Sequence, residues 1–189
     1  MKKLIIITAI FLFYFQAISQ NNTDFRKTKW GSSLNEVKKT ETNKISIEAT
    51  DILSYEETVA TFNCDLVYLF SKDTLFAAFY MFKIKHTNKS DYINDYDRLK
   101  EILENKYGIP TIDKINWKND LFKDDKSNYG LAISLGHLEY TSVWNTEVTK
   151  IYLELRGENN KIKLNIIYKS KEYIKAVYNN SNKKELDKL

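Results

Sequence analysis

The chain has 189 residues, 43% hydrophobic and 14% aromatic, with 29 Lys and Arg against 25 Asp and Glu. That composition excludes a disordered tail and a collagen-like repeat, and a single cysteine excludes a disulfide scaffold. The length fits one packed domain.

The first elements concern export. Lys2 and Lys3 precede an apolar run from Leu4 to Phe15, and Ala17 and Ser19 supply small residues at a signal-peptidase site. The run is too short to span a bilayer, so the pattern predicts a signal peptide over residues 1–19. Cleavage is expected between Ser19 and Gln20, giving a periplasmic or extracellular protein. No cysteine follows the apolar run, so no lipid anchor is expected. The leader removes two lysines and no acid, lowering the net charge from +4 to +2. So small a charge gives no case for nucleic acid.

Residues 20–169 are expected to form a single α+β domain. Ser33 and Glu36 have the spacing of a capping box, which predicts a short helix at about 33–41. Gly31 permits a sharp turn before it, and Trp30 is expected to pack on a sheet. From Ile45 to Lys85 the pattern is strand-like. A weak strand is expected over 54–62, followed by a hairpin in which Leu66, Tyr68 and Phe70 alternate, as do Phe76, Ala78, Tyr80 and Phe82. Val67, Leu69, Leu75, Phe79 and Met81 make the second face apolar too, which predicts cover on both sides.

Tyr92, Tyr96, Leu99, Leu103 and Tyr107 then form one stripe at helical spacing, closed by Gly108 and Pro110. They predict a long helix over 91–107. The stretch 112–129 shows no periodicity and reads as a loop or flap. Strands are expected over 131–141, from 144 or 146 to 156, and over 162–168, with a turn at 157–160. Residues 170–189 form a polar, lysine-rich tail, read as a frayed helix or disorder. The expected fold is a mostly antiparallel sheet carrying two helices, with two helix-plus-strands halves as candidate related units.

The motif Phe25-x4-Trp30-Gly31-x-Ser33-x2-Glu36-Val37, with the helix end Lys106-Tyr107-Gly108-x-Pro110, resembles a group of uncharacterised exported bacterial proteins. In element order it is more distantly similar to the β-lactamase inhibitor proteins and to small lipoproteins of outer-membrane assembly. The resemblance implies a sheet with helices on one face and a protein that binds other proteins. The chain lacks the lipidated cysteine of the second group and the paired cysteines of the first.

Catalytic patterns are sparse. His86 and His137 have no metal-ligand spacing between them, and Cys64 reads as a small buried residue at a strand start. Asp120, Asp124 and Asp125 lack the calcium-loop pattern and alternate with lysines. Glu56 and Glu57 fall on opposite faces of a strand. No catalytic, cofactor-binding or metal residues are expected, nor any cofactor.

The sequence therefore predicts a non-catalytic binding module with a protein or cell-envelope partner and no membrane span in the mature chain. Its contact residues are expected among the aromatics outside clear periodicity, namely Trp117, Phe122, Tyr129 and Trp144. The competing reading is a small-molecule or glycan binder, or an unfamiliar enzyme, with a pocket between helix and sheet formed by groups such as His137, Glu139 and Tyr140.

Overall fold

The computed structural model describes residues 23–178. The expected signal peptide and its cleavage point lie outside the described residues, as does the tail beyond residue 178.

The architecture is α+β: helices and one open, eight-stranded antiparallel sheet. Helix α1 (Leu34–Thr40) is followed by β1 (Ile45–Ala49), β2 (Ile52–Val59), β3 (Phe62–Ser71) and β4 (Thr74–Phe82). Helix α2 (Asp91–Tyr107) is followed by β5 (Ile112–Trp117), helix α3 (Tyr129–Ser134), β6 (Leu138–Asn145), β7 (Thr149–Glu158) and β8 (Lys161–Ser170). The strand order is β1-β2-β3-β4-β8-β7-β6-β5, so β1 and β5 are the two edges.

Local chemistry sets these boundaries. At α1 the Ser33 hydroxyl accepts the Glu36 N–H and the Glu36 carboxylate accepts the Ser33 N–H, completing the capping box. Gly108, at φ +80°, ends α2 by donating its N–H to Glu104 O at 2.8 Å. The hairpins turn at Lys72-Asp73 and Asn159-Asn160, all four at positive φ, the geometry that matches strand twist.

Cross-strand register assigns the faces. One face places Leu53, Tyr68, Ala78, Tyr168, Ile151 and Trp144 in line, with Tyr55, Leu66, Tyr80, Ile166 and Leu153 beside them. These residues share a core with Val37 of α1, with Tyr96, Leu99 and Leu103 of α2, and with Ala132 and Ile133 of α3. Trp30 is buried in the same core, its indole N–H on Thr149 Oγ1 at 2.7 Å.

The opposite face carries a row running through all eight strands: Ile47, Ser54, Val67, Phe79, Ile167, Tyr152, Val143 and Ile112. Val67, Ala77, Val143 and Ile167 are buried on this face but stand outside the main core. The sequence predicts cover on both sides of the β3–β4 hairpin; on the second face Val67 and Ala77 are buried while Met81 is exposed, and the buried residues of α1, α2 and α3 belong to the first face. A bulge explains one further difference. The register shift after Leu69 makes Phe76 the extra residue, which turns Leu75 from the second face into the core.

Two elements depart from expectation. The stretch 112–129 is ordered, as β5 and two 3-10 turns (Asp120–Phe122 and Lys126–Asn128), and is not a loop. Residues 129–134 are a helix where a strand from 131 is predicted, and two glycines, Gly157 opposite and Gly130 within it, let its backbone approach its neighbours closely. A Cβ on Gly157 would lie 2.2 Å from Ile133 O, and one on Gly130 would lie 2.4 Å from the Ser90 nitrogen. Residues 173–178 are also helical, so the helices exceed the two expected.

Candidate functional site

Among the described residues, the edge strand β5 is fixed at both ends and pairs with no strand along its outer side. At its start, the Thr111 N–H and hydroxyl both donate to Val143 O. Lys100 of α2 pairs with Asp113, whose other carboxylate oxygen accepts the Ser142 hydroxyl at 2.7 Å. Ser142 in turn meets the Tyr96 hydroxyl at 2.6 Å. Burial alone would raise the Asp113 carboxyl, but the hydrogen bonds from Lys100 and Ser142 outweigh it and hold the group below its ordinary range. Beyond its end, the Lys118 N–H donates to His137 O at 2.7 Å.

That last bond sets the polarity of the whole edge. Lys118 and His137 continue the β5–β6 register, and hydrogen-bonded pairs alternate along an antiparallel ladder. Asn116 therefore pairs with Glu139 through the backbone, whereas Ile115 and Trp117 turn their N–H and C=O groups away from β6. An unpaired edge of this kind is a template for another strand.

The segment after β5 supports the edge. Asn119 caps the first 3-10 turn through Leu121 N–H, at 3.0 Å. The Phe122 ring stacks on His137, with centroids 5.9 Å apart. The Tyr129 hydroxyl donates to Lys123 O, and its ring meets Trp117 edge-on at 5.0 Å. Trp117, Phe122 and Tyr129 are thus brought together, but as half-buried anchors. The side chains they leave in solvent are aliphatic: Ile109 is 88% exposed, Leu121 70% and Ile115 58%. The sequence reading missed these three because it looked for aromatics; Ile109 beside Pro110 and Leu121 inside a charged stretch were the available signals.

Trp144 does not belong with them. It is 1% exposed, in the core, with its indole N–H on Gly108 O at 2.8 Å. Its neighbours across β6 are core residues because it lies in phase with Ile151; such a residue cannot reach a partner.

The other edge differs. β1 has a register irregularity between Ile45 and Ile47, and Glu48 on it is paired with Lys38 at 2.8 Å. Bulges and charges are the usual ways of blunting an edge; β5 carries Asp113 and Lys114 but has an unbroken register, so it lacks the bulge.

Reactive chemistry is weakly represented among the described residues. No group of three His, Cys, Asp or Glu side chains could hold a metal ion there. His86 Nε2 meets Asp95 Oδ2 at 2.5 Å, and the His137 Nδ1 is buried with no partner. Glu139 and Tyr140 are adjacent in β6 and point to opposite faces, Glu139 to Lys118 and Tyr140 to the Tyr96 ring. Cys64 is buried, and burial, reinforced by Glu57 and Asp65, pushes its thiol up to about 12, so the thiolate is not available at neutral pH. Burial likewise pushes Tyr68 up, and its hydroxyl donates to Glu41, which also takes the Arg26 guanidinium at 2.9 Å. Asp125 accepts hydrogen bonds from Ser127 and Asn128, and Asp120 pairs with Lys123 at 3.2 Å. Glu56 pairs with Lys83 and Glu57 with Arg26 on the opposite side of β2.

No helix among the described residues is long and apolar enough to cross a membrane. No family model, curated protein or solved structure matches the chain.

Proposed function

We propose that the chain is an exported, non-catalytic binding module that engages a protein partner through the free edge of β5. The observation that carries this reading is the conjunction at one place of an unbulged, unpaired strand edge and three strongly exposed aliphatic side chains, Ile109, Ile115 and Leu121. An extended segment of the partner adds a ninth strand: its backbone satisfies the outward groups of Ile115 and Trp117, and its side chains cover Ile115 and Leu121. Trp117, Phe122 and Tyr129 hold the platform, a role of positioning the edge rather than contacting the partner.

The leader at residues 1–19 supports export, with the partner in the cell envelope or outside the cell. We also read α1 with β1–β4 and α2 with β5–β8 as related units. The supporting observation is the order of the sheet: α1 precedes β1–β4, α2 precedes β5–β8 with α3 inserted after β5, and the two sets meet at β4 and β8. The resemblance to exported bacterial proteins belongs to the same proposal. Its motif residues Phe25, Trp30 and Val37 all enter the core, so the motif has a folding role that any relative sharing this fold needs.

The test is capture from cells producing a tagged chain, comparing the wild type with Leu121→Lys. The expected result is one partner recovered near equal amounts with the wild type and lost with the variant, which keeps the wild-type melting temperature because residue 121 is in solvent. Undiminished capture by Leu121→Lys overturns the reading.

A further inference from the structure

On the face opposite the main core, Lys150 of β7 and Lys169 of β8 stand directly opposite each other across the ladder. Like charges in that relation repel. Here the two side chains converge: the Lys150 ammonium lies 5.2 Å, and the Lys169 ammonium 5.1 Å, from the centroid of the same ring, that of Tyr152. The quadrupole of one ring attracts a cation but does not neutralise two. Among the described residues, neither lysine has an acidic partner within ion-pair distance. Glu154, the acid two residues from Tyr152 on the same face, turns to Arg156 at 3.8 Å.

These three residues line a recess of about 290 Å³, together with Ser170, Lys171, Ile174, Lys175 and Tyr178. The chain reverses there by a built turn. Ser170 is buried and its hydroxyl accepts the Tyr173 N–H at 3.2 Å, while the Lys171 ammonium donates to Thr146 O. The lining therefore holds four ammonium groups, two phenol rings, one branched aliphatic chain and no carboxylate.

We propose that this recess binds a phosphate monoester carried on an apolar or aromatic stem. A dianion answers the two converging ammoniums of Lys150 and Lys169, which no side chain of the described residues does. Lysine binds phosphate as a point charge, and the two charges that converge here match a dianion better than a singly charged carboxylate. Tyr152, Ile174 and Tyr178 offer the wall on which an apolar stem lies. The ester reaches the recess either as a soluble aryl or alkyl phosphate or as the headgroup of a lipid, and both present the same chemistry. The site is independent of the β5 edge: β6 separates them, and Lys150 and Ile115 face opposite sides of the sheet.

The test uses the full chain with three probes, followed by calorimetry and co-sedimentation: inorganic phosphate, phenyl phosphate, and phosphatidylcholine vesicles with and without phosphatidic acid. The wild type is expected to bind phenyl phosphate more tightly than inorganic phosphate, and to lose that preference in Tyr152→Leu. Each lysine removed should weaken binding about tenfold, as one charge-assisted contact does, so Lys150→Gln with Lys169→Gln weakens it about a hundredfold. Without ligand the same double variant melts at or above the wild-type temperature, since it removes a repulsive pair. Binding of phenyl phosphate without vesicle binding assigns a soluble ester; sedimentation only with phosphatidic acid assigns a lipid headgroup. Failure of the wild type to bind both phenyl phosphate and the phosphatidic acid vesicles overturns the proposal, as does equal binding by the double glutamine variant.

Discussion

The alternation of hydrogen bonding along β5 makes a sharp prediction about two neighbouring residues. Ile115 and Asn116 both have exposed side chains, so proline at either position changes the backbone more than the packing. At Asn116 proline deletes the N–H that pairs with the Glu139 carbonyl and pushes its ring between β5 and β6. The lost bond and the stranded carbonyl together cost about 3 kcal/mol. At Ile115 the deleted N–H faces solvent and no ladder bond is lost. The cost there is the partial burial of a side chain already 58% exposed, about 1 kcal/mol. For a domain of this size about 1 kcal/mol moves the melting temperature by about 2–4 °C. Thermal unfolding followed by circular dichroism should therefore place Asn116→Pro about 4–8 °C below Ile115→Pro. Equal losses, or the reverse order, would refute the assignment of the outward groups and with it the exposed edge.

Three further outcomes follow from the packing. Gly157→Ala should cost about 3 kcal/mol or more and lower the melting temperature accordingly, since its Cβ would stand 2.2 Å from the Ile133 carbonyl and backbone cannot yield cheaply. Trp144→Phe should cost about 2 kcal/mol in denaturant unfolding, from the lost indole bond to Gly108 and the space left behind, while leaving partner capture per folded molecule unchanged. Cys64 should resist iodoacetamide at pH 8 until the chain unfolds. Its thiol is held up to about 12 in the folded state against an ordinary value of about 8.5, so the unfolded chain loses this proton first. Stability should then fall by about 1.4 kcal/mol per pH unit above pH about 8.5, over the range below tyrosine ionisation. The Cys64→Ser protein should lack that slope.

What the sequence made legible was what the core imposes on it. The α2 stripe from Tyr92 to Tyr107 needs a buried face at helical spacing, and the helix starts and stops where the stripe, Gly108 and Pro110 say. The capping box and the hairpin turns are chemistry of adjacent residues and were equally readable. Both strands that sequence reasoning did not separate, β1 and β5, are edges. Neither face of β5 is buried, so Ile112, Ile115 and Trp117 fall in no alternating phase and the period-two signal vanishes. The helix at 129–134 was hidden for another reason. Leu131, Ala132 and Ile133 form an apolar run that suits either element, and the choice is made by Gly157, more than twenty residues away, whose missing side chain admits the helix backbone. The candidate site follows the same division. Its aromatic supports Trp117, Phe122 and Tyr129 were visible as aromatics without periodicity. Trp144 looks similar only because the strand expected over 131–141 stops short of it, whereas β6 runs to Asn145. The lysine pair over Tyr152 depends on the register of β7 against β8, which only the assembled sheet supplies.

The most direct test of the edge is a photo-crosslinking amino acid placed at Ile115, at Leu121 and, as a control, at Asn63 near the far side of the sheet, in cells that produce the full chain. Mass spectrometry should identify one protein joined to positions 115 and 121 and absent from position 63, with the joined residues lying in an extended segment of that partner. Crosslinks to the same protein that form equally at position 63, or their absence at 115 and 121, would contradict the account.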